Sequence, residues 1–205
     1  MKKRIGLIAI LILIIIFRGN AQNWDIDNAK SINPENPNSS YWKITSGSAY
    51  FLSAAAPVYF ITKGFIKNDL VLKRKGYHIF SAITIEFVAS ELMKQGIDRK
   101  RPAESYPAEI YPYRNVSGRS FPSGHTSLVF ATAASLSIEC KKWYITLPAY
   151  AYACSVGYSR IYLGVHYPTD VIAGAAVGIG SAYLNKWVYK KIFGQKNRVL
   201  YTIKI

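Results

Sequence analysis

Five apolar stretches, each followed within three residues by a Lys or Arg, limit this chain to a bundle of helices. They are Ile44 to Thr62, Tyr77 to Met93, Thr126 to Ile138, Trp143 to Tyr158 and Val171 to Leu184; only the second carries ionisable groups, His78, Glu86 and Glu91. A helix apolar on every side belongs inside a protein core or in lipid. Several of these stretches are shorter than the roughly 20 residues of an ordinary span, so a soluble helical bundle is the competing architecture. Half of the 205 residues are hydrophobic and 18% are charged, below the roughly 25% charge of soluble domains. An aromatic share of 14% excludes a disordered chain, and two cysteines exclude a disulfide scaffold or a repeated-Cys zinc module. Cys140 and Cys154 read as buried free thiols.

Charge placement chooses between the two architectures. Lys2, Lys3 and Arg4 precede an apolar run from Ile5 to Phe17, and Arg18-Gly19-Asn20-Ala21 follows. That order predicts a signal peptide over 1–21, or an uncleaved anchor, and exports residue 22 onward. If the five stretches then span, 16 of the 26 basic residues fall on the inner side, in 1–4, 63–75, 141–142 and 186–205. Only Asp69 and Glu139 oppose them there, whereas the outer segments hold ten basic residues and seven acids. This is the positive-inside asymmetry, and it agrees with the leader. Trp143, Tyr144, Trp187 and Tyr189 fall at the inner boundaries, where interface aromatics sit. The expected organisation is a leader (1–21), a periplasmic N-terminal segment (22–43), a helical domain (44–190) and a basic cytoplasmic tail (191–205). Gly174, Gly178 and Ser181 share one face of the last stretch and predict close helix packing. The net charge of +15 invites an anionic partner. No basic run with interleaved aromatics suits nucleic acid, which leaves lipid or a phosphorylated substrate.

Three polar segments all fall on the outer side: Lys94 to Pro102, Phe121 to His125, and Ser159 to Asp170. Lys94, Arg101 and Arg160 would bring fixed positive charge, with guanidinium forks matched to phosphate oxygens. Pro122-Ser123 reads as a helix start, so backbone N–H groups near Ser123-Gly124 can face an anion. Pro168 suits the first position of a helix, with His166 just before it and Asp170 four residues on. A carboxylate at that spacing can hold one imidazole nitrogen and leave the other free as a nucleophile. His125 is then available as a general acid. These parts suffice for phosphoryl transfer without a metal or other cofactor.

In order and spacing these segments resemble the phosphatidic acid phosphatase type 2 (PAP2) superfamily: Lys-x6-Arg-Pro, Pro-Ser-Gly-His, then Ser-Arg-x5-His-x3-Asp. Lys94, Arg101, Pro102, Pro122 to His125, Ser159, Arg160, His166 and Asp170 match every fixed position. The resemblance covers about 76–185. It implies an all-α fold like that of the acid phosphatases and vanadium haloperoxidases, here a membrane-embedded bundle of about five to six helices. It also implies a phosphohistidine intermediate and no metal. By that resemblance His166 is the nucleophile, Asp170 its partner and His125 the acid, while Lys94, Arg101, Ser123, Gly124 and Arg160 hold phosphate. A narrower likeness, through Gly-Val-His-Tyr-Pro at 164–168 and the leader, is to exported Gram-negative phosphatases that include lipid A phosphatases. The expected activity is hydrolysis of a phosphomonoester or diphosphate on a membrane lipid. Lipid A comes first, with undecaprenyl diphosphate and phosphatidylglycerophosphate as further candidates. A soluble periplasmic acid phosphatase, a vanadium haloperoxidase and a non-catalytic lipid-binding relative are the alternatives. Oligomeric state is left open. Glu91 is expected to pair with Lys94, and Glu86 to bond a hydroxyl on a neighbouring helix.

Overall fold

The structure, a computed structural model, describes residues 24–202, with side chains through 192. The leader at 1–21 lies outside the described residues. The elements are α1 (24–32), α2 (Ser40–Gly47), α3 (Ala49–Ile66), α4 (Leu70–Ile97), α5 (Pro102–Ser105), α6 (Gly124–Cys140), α7 (Trp143–Tyr162) and α8 (Pro168–Thr202). No strand occurs among the described residues.

Local chemistry sets the boundaries. Asp69 caps α4, its carboxylate accepting from the N–H groups of Val71 (2.8 Å) and Leu72 (3.1 Å). Asp98 ends α4 in the left-handed conformation at φ 46°. Pro102 and Pro168 open α5 and α8, where a missing N–H leaves no bond unmade. Five long helices correspond to the five apolar stretches, with one correction. The stretch from Ile44 to Thr62 is divided between α2 and α3 at Ser48, next to Gly47. The Ser48 hydroxyl bonds the Thr45 carbonyl (3.0 Å) and the Tyr152 hydroxyl (2.7 Å), fixing the junction against α7. α8 continues past residue 190 to Thr202.

α6 lies at the centre, packed against α8, α7, α4 and α3. Its contact with α8 depends on glycine. A Cβ at Gly174 would stand 2.7 Å from the Ser123 carbonyl oxygen, and one at Gly178 only 2.2 Å from that of Ser127. The small-residue face read from sequence is therefore the α6–α8 seam. The C-terminal ends of α4 and α7 meet the N-terminal ends of α6 and α8, which gathers all three polar segments at one end of the bundle. The basic residues Arg74, Lys75, Lys141, Lys186 and Lys190 share a cavity at the other end.

The interior mixes apolar clusters with buried polar side chains, and large apolar side chains face outward. Ser46, Ser53, Glu86, Ser90, Ser127 and Ser135 are buried, while Phe51, Phe80, Phe87, Trp143 and Leu147 are exposed. Cys140 is half-buried and Cys154 exposed, both unpaired, which corrects the reading of two buried thiols. Cys154 belongs to the same outward-facing surface. Among the described residues α3 alone is long and apolar enough to cross a membrane by length and composition.

The seam gives a test. Gly178→Ala should lower the melting temperature in detergent, by about 1–3 kcal/mol of stability, since a core already in contact must move apart. Gly180→Ala, with nothing within 4 Å of its added methyl, should be neutral.

Candidate active site

Each polar segment enters the site from the end of a helix. Lys94, in the last turn of α4, holds Glu91 at 2.6 Å, as the spacing predicts. Its ammonium would stand 3.3 Å from a Cβ at Gly124, so that glycine makes room for it at the head of α6. Ser123 is the N-cap of α6, but its hydroxyl caps no N–H; it accepts instead from Thr126 (2.9 Å). Its N–H donates to the Asp170 carbonyl (3.0 Å), tying the head of α6 to that of α8.

The third segment supplies the densest chemistry. His166 and Asp170 are buried, with Nδ1 and Oδ2 3.4 Å apart, placed to pair by charge although Nδ1 makes no hydrogen bond there. The same Oδ2 accepts from the Ser120 hydroxyl and from the Tyr167 N–H (2.9 Å), and Oδ1 accepts from Arg99 (2.8 Å). Burial by itself would raise the Asp170 carboxyl. The contacts with His166, Arg99 and Ser120 reverse that and hold it below its ordinary range. With the Nδ1 proton facing Asp170, Nε2 of His166 presents its lone pair toward Arg101, 3.4 Å away.

Two guanidiniums, Arg160 buried and Arg101 half-buried, complete the positive wall. Arg101 donates to the Val165 carbonyl (2.7 Å) and Arg160 to the Ser46 hydroxyl, and neither Nε has a hydrogen-bond partner. Buried donors left over in this way suit an oxyanion, which brings several acceptors at once. Burial lowers both side chains, Arg160 to about 10, which leaves it charged at neutral pH. The same wall acts on the histidines. Burial, then the charges of Arg160, His166, Arg114 and Arg101, pulls His125 down to about 3. Burial also brings His166 to about 4, with Arg160 and Arg101 opposing the contribution of Asp170. The His125 ring packs against Tyr50, centroids 4.6 Å apart.

All eight residues singled out in the sequence as site candidates thus lie at one end of the bundle. Glu86 also lies as expected, accepting from Ser127 across the α4–α6 interface and from Ser90 (2.7 Å) on its own helix. Other polar groups were not foreseen. Arg99 and Ser120 lie in or beside the motifs, but at positions the motifs leave free. Ser46 and Tyr50 come from the divided first stretch, and Asp25 from α1. Asp25 lies in an unpatterned segment that also holds Asp27 and Glu35, and nothing in the sequence marks it among them. In the loop between α5 and α6, Tyr113 stands beside Arg160, and Arg119 pairs with exposed Asp98 (2.7 Å). Tyr106 packs on the apolar cluster of Ile26, Ile110 and Tyr167.

A helical bundle with an anion-shaped polar site, built from three short segments in this order, defines a class. Residues 75–193, more than half of the chain, match the PAP2 superfamily, and the chain belongs to that superfamily. It is 31% identical over 122 residues to a lipid A 1-phosphatase of Rhizobium etli, across 57% of this chain and 51% of that one. It therefore spans about half the length of the lipid A 1-phosphatases it matches. Among solved structures it resembles Aquifex aeolicus LpxE, with TM-score 0.52 and 29% identity over 71% of this chain and 92% of that one. It also resembles a transmembrane PAP2-type phosphatidylglycerolphosphate phosphatase from Bacillus subtilis, with TM-score 0.67 and 25% identity over 94% and 98%.

His166, buried, and His125, half-buried, link stability to pH. Unfolded, both take a proton near 6.5; folded, they resist until about 3 and about 4. The unfolded chain binds more protons in between, so this contribution is complete above pH 6.5 and is lost as pH falls toward 4. The melting temperature in detergent should drop between pH 7.5 and 5, and His125→Asn should shrink the drop.

Proposed function

We propose that this chain is a membrane phosphatase acting on a phosphomonoester or diphosphate of a lipid, through a phosphohistidine on His166. The observation that carries the reading is the placement of the His166–Asp170 pair and three cations at one end of the bundle, with Lys94 also lining a mostly apolar cleft. The cleft measures about 380 Å³ and runs from Lys94 and Gly124 along Tyr50, Ile83, Phe87 and Leu128, with Glu86, Ser90 and Glu91 among its polar groups. A phosphate bound at the cations can leave its lipid chain in that cleft. The outward-facing apolar surface supports a bilayer setting, as do the three basic inner segments gathered at the end opposite the site. The export reading of the leader then turns the site to the periplasm. The domain limits carried forward are 44–190, with 22–43 and 191–205 as flanking segments.

Each step has a residue. Lys94, Arg101, Arg160 and the N–H groups at Ser123-Gly124 take the phosphoryl oxygens, and their charge grows in value in a site closed to water. Neutral His166 attacks phosphorus through Nε2, and the bond to the lipid oxygen breaks. Asp170 steadies the ring as it becomes positive. His125 protonates the leaving oxygen. Its low proton affinity is set by burial and by the surrounding cations, and an entering phosphate dianion opposes those cations and raises it. Water then attacks the phosphohistidine, with His125 taking its proton, and inorganic phosphate leaves. The fixed cations carry the charge stabilisation, and no metal or cofactor enters the scheme. Lipid A is the favoured substrate, supported by the lipid A 1-phosphatase relative.

Phosphate release should be measured on purified lipid A, undecaprenyl diphosphate and phosphatidylglycerophosphate in detergent with EDTA present. The expected result is chelator-resistant turnover of one of them. Labelled phosphate should be trapped on His166, and His166→Ala should lose turnover by about 10³-fold or more with the fold intact. A fully active His166→Ala enzyme would refute the assignment.

Orientation is tested separately. With Cys140 and Cys154 replaced by Ala, a single cysteine at Ser105 should react in whole cells with a thiol reagent that reaches the periplasm only. A cysteine at Asn68 should not. The reverse pattern would invert the topology.

A further inference from the structure

The described chain begins well before residue 75, where the superfamily match starts, and α1 carries a carboxylate into the site from behind. Asp25 is 1% exposed. Its Oδ2 accepts from Arg99 (2.6 Å) and from the Thr169 hydroxyl, and its Oδ1 accepts from the Thr169 N–H (2.9 Å). Arg99 turns its other nitrogen to Thr169 Oγ1 (2.7 Å) and Asp170 Oδ1 (2.8 Å), and its guanidinium lies 3.8 Å from the centre of the Tyr167 ring. The fork is thus shared between two buried carboxylates and clamped on a ring one residue from His166. Asn33, just past α1, fixes the same region. Its side chain bonds the backbone of Tyr111 on both sides (2.9 and 2.7 Å) and the Tyr162 carbonyl (2.8 Å).

We infer that Asp25 and Arg99 are positioning residues that act through Asp170, making α1 part of the catalytic apparatus although it lies outside the superfamily's matched region. Neither reaches His166. With Oδ1 taken by Arg99, the carboxylate has one orientation, and it is the one that turns Oδ2 to Nδ1. Asp25 fixes Arg99 in that place and holds the first turn of α8 through Thr169. Removing the Asp25 charge frees half of the guanidinium to swing. The Asp170 plane then loses its anchor, and the ring loses the preference that keeps its proton on Nδ1. The phosphate-facing groups are untouched.

This inference rests on the proposed phosphatase reading, and its test separates the two. In full-length protein in detergent, Asp25→Asn, Arg99→Lys and Arg99→Gln should each lower kcat about 10- to 100-fold, the size expected for outer partners of a reacting group. KM should stay within about twofold. The double variant Asp25→Asn/Arg99→Gln should be no slower than the slower single, because both act through one carboxylate. The ¹⁵N shifts of the His166 ring should report the Nδ1–H tautomer in the wild type and a mixture in the variants. That readout needs no turnover, so a wild type inert on lipids would count against the phosphatase reading while this test still stands. Unchanged kcat in Asp25→Asn, additive losses in the double variant, or an unchanged tautomer would each overturn the inference.

Discussion

The rest of the site depends on a carboxylate with no exposure, set in the first turn of α8. Asp170 accepts from Arg99, Ser120 and the Tyr167 N–H, stands 3.4 Å from His166, and through its own carbonyl receives the Ser123 N–H at the head of α6. A lone buried carboxylate would give up its charge. This one keeps it because a guanidinium, a hydroxyl and a backbone donor share it. Unpairing such a charge typically costs about 3–5 kcal/mol, so the network fixes the geometry of both helix heads as firmly as any apolar contact in the bundle. Its charge also lets buried Arg160, half-buried Arg101 and an imidazole stand close together.

Helix packing brings those heads together. α6 and α8 lie backbone to backbone along Gly174 and Gly178, and that seam sets the distance from the Ser123-Gly124 amides to Asp170. A side chain at either glycine would drive the helices apart and separate the second motif from the third. The seam and the network therefore support each other from opposite ends of the same contact. One fixes the spacing of the helix axes, and the other the rotation of the groups at their ends.

Buried Ser, Thr and Glu side chains line the middle of the bundle, with Phe, Leu and Trp outside. In water this arrangement would expose a large apolar surface at high cost. In a bilayer the cost vanishes, and hydroxyl pairs such as Ser90–Ser127, with Glu86 between them, become interhelical ties. The same arrangement accounts for a cleft with Lys94 at one end and a mostly apolar wall.

The sequence by itself determined the helical class, the long helices, the close-packed glycine face and the three motifs that meet at one end of the bundle. Those are properties of local pattern: apolar runs, caps, spacing of three and four, and motif order. The Glu91–Lys94 pair was legible for the same reason, since both partners share one helix turn. Only the tertiary structure decided which groups support the motifs. Asp25 reaches Arg99 and Thr169 across 74 and 144 positions, and Ser46 reaches Arg160 across 114. Ser48 divides an apolar stretch that looked continuous, because its hydroxyl finds a tyrosine on α7. No periodicity announces such contacts. They exist because a buried polar group must find a partner wherever the fold supplies one, and the chain learns where that is only when its helices have packed.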